Sequence, residues 1–129
     1  PDLLEADFYG AFARCGAKGM RAVWSPHDAI CVHPGAAPLI GYETVMRSWA
    51  HIFEGAETPL IETRVLQRVT TQDMAMHLVE ERVSSASAPA SAAVIQATNV
   101  YRVVDGVWRM VAHHASMLPV KEGPGPTLQ

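Results

Sequence analysis

The sequence is short of cysteine and charge and has no long apolar run, and each shortage excludes a class of protein. No run of about 18 apolar residues occurs, so no membrane-spanning helix is predicted. Charged residues make up 18% of the 129 residues and the net charge is −3, which argues against nucleic acid or an anionic membrane as the main partner. The two cysteines, Cys15 and Cys31, lie in apolar contexts. Two cysteines are enough for one disulfide, but two buried thiols in a cytoplasmic protein are the better interpretation.

Motifs for common cofactors and for export are missing as well. Walker, Rossmann, nucleophile-elbow and zinc-protease patterns do not occur, so no cofactor is predicted. Cys31 and His33 would share a face in an extended chain, and His114 could approach them. Three ligands are the most that the sequence offers, and we predict no metal site. The first residues lack the charged-then-apolar layout of a signal peptide.

What the sequence does contain is a globular composition, with 49% hydrophobic residues. Its length fits one domain with a sizeable core. We place this domain at residues 1–118 and expect the Pro- and Gly-containing end, residues 119–129, to be a flexible tail.

Apolar residues at helical spacing predict three helices before any long strand. The first ends at Gly16, the second spans residues 17–24, and the third spans residues 42–54. Short strands are predicted at residues 29–32 and 39–40.

Beyond Pro59 the apolar period becomes that of strands. Residues 60–70 and 74–84 predict a long antiparallel pair. The small residues of SSASAPASAA, 84–93, predict a flexible hairpin tip. A final hairpin covers residues 97–116. Helices followed by an antiparallel meander indicate an α+β fold.

The final hairpin turns at Asp105-Gly106, a pair suited to the positive φ of a two-residue turn. This turn sets Tyr101 opposite Met110 and Asn99 opposite Ala112. Because cross-strand partners share a face, one mostly apolar surface is predicted, typical of a pocket wall; it consists of Ala97, Asn99, Tyr101, Val103, Trp108, Met110, Ala112 and His114. His113 falls on the opposite face.

Several motifs carry a resemblance to a known family: Cys31-Val-His-Pro-Gly35, Gly41 followed by Ser48-Trp49, Ala97-Thr-Asn99, and Asp105-Gly-Val-Trp108 through His114-Ala-Ser116. The chain resembles the nuclear transport factor 2-like (NTF2-like) fold and, within it, the SnoaL-like group. Its end is also similar to that of the calcium/calmodulin-dependent kinase association domain. The resemblance implies a cone-shaped α+β barrel, with N-terminal helices packed on a curved, mainly antiparallel sheet. It also implies a homodimer paired through the sheet.

A comparison with ketosteroid isomerase, to which the chain is distantly similar, supplies candidate catalytic residues. His33 stands where that family has its general-base Asp, and Asn99 stands where it has a protonated Asp. Phe8 replaces the oxyanion Tyr, with Tyr9 adjacent. The candidate catalytic residues are therefore His33, Asn99 and, from the hairpin pattern, His114. The candidate ligand-binding residues are Phe8, Tyr9, Trp24, Trp49, Phe53, Tyr101, Trp108 and Met110.

Two functions from different classes follow. The first is a pocket that binds a small apolar or aromatic molecule, with cofactor-free acid/base chemistry of the isomerase or cyclase kind. His33 or His114 would be the base, and Asn99, with Tyr9, the hydrogen-bond donor. The alternative is a non-catalytic dimerising or assembly domain with a filled pocket. Glu81 could assist a pocket histidine, but Glu80 is an equal rival, and an exposed position for Glu81 is the favoured interpretation.

Overall fold

The chain forms three helices and one six-stranded sheet, as seen in a computed structural model that describes residues 8–54, 60–85 and 87–119. Helix α1 covers residues 8–15 and ends in a π-helical turn, Ala11–Cys15. Helix α2 is Gly16–Val23 and helix α3 is Tyr42–Phe53. Gly16 has a φ of 61°, a left-handed conformation that glycine adopts without strain. The predicted end of the first helix is therefore confirmed.

The sheet has the strand order β2-β1-β6-β5-β4-β3. Strands β1 and β6 are parallel, and every other pair of neighbours is antiparallel. This confirms the predicted α+β class. The strands are β1 Ile30–Val32, β2 Leu39–Ile40, β3 Leu60–Thr70, β4 Met74–Ser85, β5 Ala88–Val104 and β6 Val107–Met117.

The predicted extent of the hairpin tip, residues 84–93, is wrong. Strands β4 and β5 stay paired through Val83 and Ala93, and Ser85 pairs with Ala88. Proline is tolerated at position 89 because β6 ends its pairing at Ile95. Beyond that point β5 is paired on one edge only, which is where a strand accepts a residue without an N–H.

The β5–β6 hairpin begins as predicted and then departs from the expected register. Asp105 and Gly106 have φ values of 52° and 79°, and Tyr101 pairs with Met110. The next pair is Val100 with Ala112, because Val111 is an extra residue that forms a β-bulge. A bulge of one residue exchanges the two faces of the strand beyond it.

The bulge makes the predicted face wrong for the second half of β6. Asn99 pairs with His113, not with Ala112, and Ala97 pairs with Ala115. His113 is consequently buried on the inner face of the sheet, whereas His114 is exposed on the outer face.

The inner face of the sheet packs against the helices to form the core. The largest fully buried apolar side chains come from both layers: Trp24, Tyr101, Phe8, Met20, Met110 and Val45. None of the helices in the described ranges is long and apolar enough to cross a membrane. The predicted tail lies almost entirely outside the described residues and stays a prediction.

Candidate functional site

A cavity of about 130 Å³ lies between the helices and the inner face of the sheet. Its wall is mostly apolar, with four residues that carry titratable or hydroxyl groups: Tyr9, His33, Glu81 and His113. This combination of an apolar wall and a few polar groups is typical of a small-molecule site. The rest of the wall consists of Phe8, Phe12, Pro34, Trp49, Ile52, Ile61, Val83, Ile95 and Ala115.

A chain of three hydrogen bonds connects Glu81 on β4 to His113 on β6. The Tyr9 hydroxyl donates to Oε2 of Glu81 at 2.5 Å, and Nδ2 of Asn99 donates to the Tyr9 hydroxyl at 3.1 Å. Oδ1 of Asn99 lies 2.6 Å from Nδ1 of His113. Because a carboxylate only accepts, the chain has one direction, and the proton of His113 must be on Nδ1.

His113 is a neutral side chain in this site. Burial, followed by the charges of His33 and His114, lowers the pKa of His113 to about 3. With its proton on Nδ1, the ring keeps a lone pair on Nε2, and no described residue forms a hydrogen bond with that nitrogen.

His33 follows β1, two residues after Cys31, and its protonation is fixed in a similar way. Its Nε2 lies 3.0 Å from the hydroxyl of Ser48, and that hydroxyl donates to the carbonyl of Val45 at 2.7 Å. The single hydroxyl proton is thus used, so Nε2 of His33 must donate to Ser48. Nδ1 then carries a lone pair, and burial lowers the pKa of His33.

Cys31 lies behind His33, with its Sγ 3.7 Å from Nε2 of that ring. The thiol is free and fully buried. Burial, with the charge of Glu81 adding to it, raises the pKa of Cys31 to about 12. A thiol in this state is a poor nucleophile and metal ligand. Within the described ranges, His, Cys, Asp and Glu form no group of three that could hold a metal ion.

The structure separates the three predicted catalytic residues. His33 lies in the cavity wall. Asn99 is fully buried and contacts the wall residues Tyr9 and His113 from behind. His114 lies on the outer face, next to Thr98 and across the sheet from the cavity, so the face predicted for it is wrong.

The choice between the two glutamates is also settled. Glu81 is 4% exposed and lines the cavity, which makes the favoured exposed position wrong. Glu80 lies on the outer face and forms an ion pair with Arg64 at 3.2 Å. The alternation Val79, Glu81, Val83 was the signal, since two apolar neighbours of the same parity indicate that the carboxylate lies on the inner face.

The predicted ligand-binding residues divide into three groups. Phe8, Tyr9 and Trp49 line the cavity. Phe53 packs against Phe12 with 5.1 Å between ring centroids, and Trp108 lines a separate pocket beside α2. The last group is buried in the core and lines no part of the cavity: Trp24, Tyr101 and Met110.

Comparisons with known proteins agree with this architecture. A Thiobacillus denitrificans structure assigned as a calcium/calmodulin-dependent protein kinase type II association domain is 35% identical. The match covers 92% of this chain and 95% of that one, with a TM-score of 0.83. A Streptomyces avermitilis structure assigned as a dehydratase of the NTF2-like family is 28% identical, with coverage of 92% and 94% and a TM-score of 0.80.

A more distant solved structure shares the fold, and a curated protein matches in sequence. A ketosteroid isomerase-like protein from Erwinia carotovora atroseptica is 16% identical, with coverage of 92% and 94% and a TM-score of 0.74. The F-box protein SKIP8 of Arabidopsis thaliana is 22% identical over 120 residues, which are 92% of this chain. The chain spans about half the length of that curated relative. Residues 4–121 match the sequence model of the SnoaL-like domain, and the chain therefore belongs to the SnoaL-like domain family.

Proposed function

We propose that the cavity binds a small, mostly apolar organic compound and that His33 exchanges a proton with it without a cofactor. The observation that carries this proposal is the meeting of two neutral imidazoles, His33 and His113, with the buried carboxylate of Glu81 in one apolar cavity. Titratable groups in a mostly apolar pocket are a common feature of sites for acid–base chemistry.

The volume of the cavity indicates how large a group it can enclose. A protein cavity of about 150 Å³ holds one benzene molecule, and the cavity here measures about 130 Å³. The volume therefore supports a ligand of about one ring. A steroid has four fused rings, so steroid isomerisation is not the function that we propose.

The surroundings of His33 support its role as the base. Nδ1 carries the lone pair that would take the proton, while Nε2 is anchored on Ser48 at 3.0 Å. When the ring becomes an imidazolium, the bond to Ser48 becomes charge-assisted and stronger. The negative charge of Glu81 in the same wall would stabilise the cation.

The donor role expected for Asn99 is not part of this proposal. Its side chain is fully buried, and its amide group is engaged by Tyr9 and His113. The hydroxyl of Tyr9 donates to Glu81. These groups hold His113 in one orientation, and an oxyanion in the cavity would not reach the Asn99 amide.

We also propose a homodimer paired through the outer face of the sheet, with Glu80 and His114 on the same face. Exposed apolar side chains on β3 and β4 support it: Leu66, Val69, Met74 and Met76. Dimerisation and ligand binding would use opposite faces. A filled pocket, as expected for the assembly-domain alternative, is less favoured because the interior contains a cavity.

The first experiment is native mass spectrometry of the purified protein, compared with its denatured mass. The expected result is a dimer that carries a ligand of about one-ring size and loses it on denaturation. The second experiment follows deuterium exchange at the ring carbons of single-ring phenols in D₂O by NMR. We expect exchange with the wild type and with His114→Gln, and about a hundredfold slower exchange with His33→Gln.

The pH dependence of exchange gives an independent readout. Because burial lowers the pKa of His33 below its ordinary 6.5, the neutral base should persist at pH 6.5 and be lost only at lower pH. Equal exchange rates for the wild type and His33→Gln, or no binding of any one-ring compound, would overturn the proposal.

A further inference from the structure

We infer that the ligand is a neutral ring that donates a hydrogen bond through a hydroxyl or amino group. This inference rests on the proposed function and names its ligand class. It follows from a count of the protons on the polar side chains of the cavity wall.

Each polar N–H or O–H of these side chains is directed at another protein group. The Tyr9 hydroxyl donates to Glu81. Nδ1 of His113 donates its proton to a hydrogen bond with Oδ1 of Asn99, and Nε2 of His33 donates its proton to the hydroxyl oxygen of Ser48.

Trp49 is the remaining lining side chain with a donor. Its indole Nε1 has no hydrogen-bond partner among the described residues, but it has less than 1 Å² of accessible area. An N–H enclosed to this extent is not presented to a molecule in the cavity.

The polar atoms left for a ligand are therefore acceptors. Nδ1 of His33 and Nε2 of His113 each carry a lone pair, and no described residue forms a hydrogen bond with either. A carbonyl or ether oxygen is also an acceptor, so it could not form a hydrogen bond with either nitrogen and its lone pairs would repel theirs. A hydroxyl or amino group would supply the missing proton.

The charges of the cavity wall restrict the class of ligand further. Glu81 adds a buried carboxylate to the wall, and both histidines are neutral because burial lowers each pKa. The described lining residues include neither lysine nor arginine. An anionic ligand would thus find no cationic side chain among these lining residues with which to form an ion pair.

Four probes of one ring test the inference: phenol, toluene, anisole and benzoate. Binding is measured at pH 7.5 by ¹H–¹⁵N NMR titration on the full chain. Toluene replaces the hydroxyl of phenol with a methyl group of similar size, and anisole keeps the oxygen without its proton. We expect phenol to bind about tenfold more tightly than toluene or anisole, and benzoate to bind at least a hundredfold more weakly than phenol.

The outcomes separate the inference from the proposed function. If toluene and anisole bind as tightly as phenol, or benzoate binds best, the cavity is a ligand site but the donor inference is overturned. If none of the four probes binds, the proposed function fails and the inference fails with it.

Variants of His33 and His113 test whether the lone pairs of these two rings cause the preference for phenol over toluene. His33→Phe, at the half-buried position, should leave toluene binding within about twofold and reduce the preference for phenol over toluene. His113→Phe should do the same where it folds. The control is His114→Phe on the outer face, which should keep the tenfold preference. An unchanged preference in both His33→Phe and a folded His113→Phe would overturn the inference.

Discussion

Nδ1 of His113 lies 2.6 Å from Oδ1 of Asn99, and the two residues are cross-strand partners only because Val111 forms a bulge in β6. In a regular strand Asn99 would face Ala112, and the inner face would receive His114. The bulge thus decides which of two adjacent histidines enters the cavity wall. Bulges commonly redirect side chains near functional sites.

Substituting the two histidines separately tests this placement. His113→Gln should weaken binding of a one-ring ligand at least fivefold, because His113 is one of the few polar residues of the cavity wall. His114→Gln, on the exposed outer face, should change affinity by less than about twofold. NMR titration of both variants with phenol gives the comparison. A larger loss in His114→Gln than in His113→Gln would contradict the placement.

Replacing Asn99 with leucine should destabilise the fold. The leucine side chain has a similar size but cannot accept the proton of His113 or donate to Tyr9, contacts of 2.6 and 3.1 Å. Leaving buried polar groups unsatisfied costs about 1–3 kcal/mol each. Urea unfolding should show a loss of at least that size in the free energy of unfolding.

Gln72→Leu is the control for this change. Gln72 is exposed to solvent in the turn between β3 and β4 and lies on neither face of the sheet. Its substitution should alter the free energy of unfolding by less than about 0.5 kcal/mol. Equal effects of the two leucine substitutions would show that the hydrogen-bond chain adds no stability.

Local sequence signals were sufficient for most of the fold. Gly16 marked the end of α1, and Asp105-Gly106 fixed the hairpin register as far as Tyr101 and Met110. These features depend on backbone conformations that few residue types adopt, so they can be read from a short stretch.

The cavity wall was less predictable because it depends on contacts between distant parts of the chain. The bulge at Val111 has no glycine or proline to mark it. The sequence pattern therefore gave no sign that His113, and not His114, lies on the inner face. Glu81 is buried because Tyr9, which lies 72 positions away, donates to it. Propensity and periodicity in a single strand contain no information on such a partner.

The thiol of Cys31 should resist modification in the folded protein. Its pKa is raised from 9.0 to about 12 by burial and the charge of Glu81, so the thiolate fraction at pH 8 falls about a thousandfold. The measurement is the rate of reaction with a disulfide reagent in Cys15→Ser, which leaves Cys31 as the single thiol. We expect modification only as fast as the protein unfolds. Rapid modification without denaturant would contradict this account.

Stability should fall as the pH drops below about 6.5, and His113 should account for a distinct part of the loss. Its folded pKa is about 3, below the ordinary value of 6.5, so between these two pH values the unfolded chain binds a proton that the native state excludes. Stability is therefore retained above pH 6.5 and lost as the pH approaches 3, by about 1.4 kcal/mol per unit for one such group. His113→Gln keeps an N–H for Asn99 but cannot take up this proton. Urea unfolding at several pH values gives the difference in free energy of unfolding between the wild type and His113→Gln. This difference should shrink on acidification at about that slope, because the contributions of the carboxylates are the same in both proteins and cancel. Parallel stability curves for the two proteins would mean that His113 is not held neutral by burial.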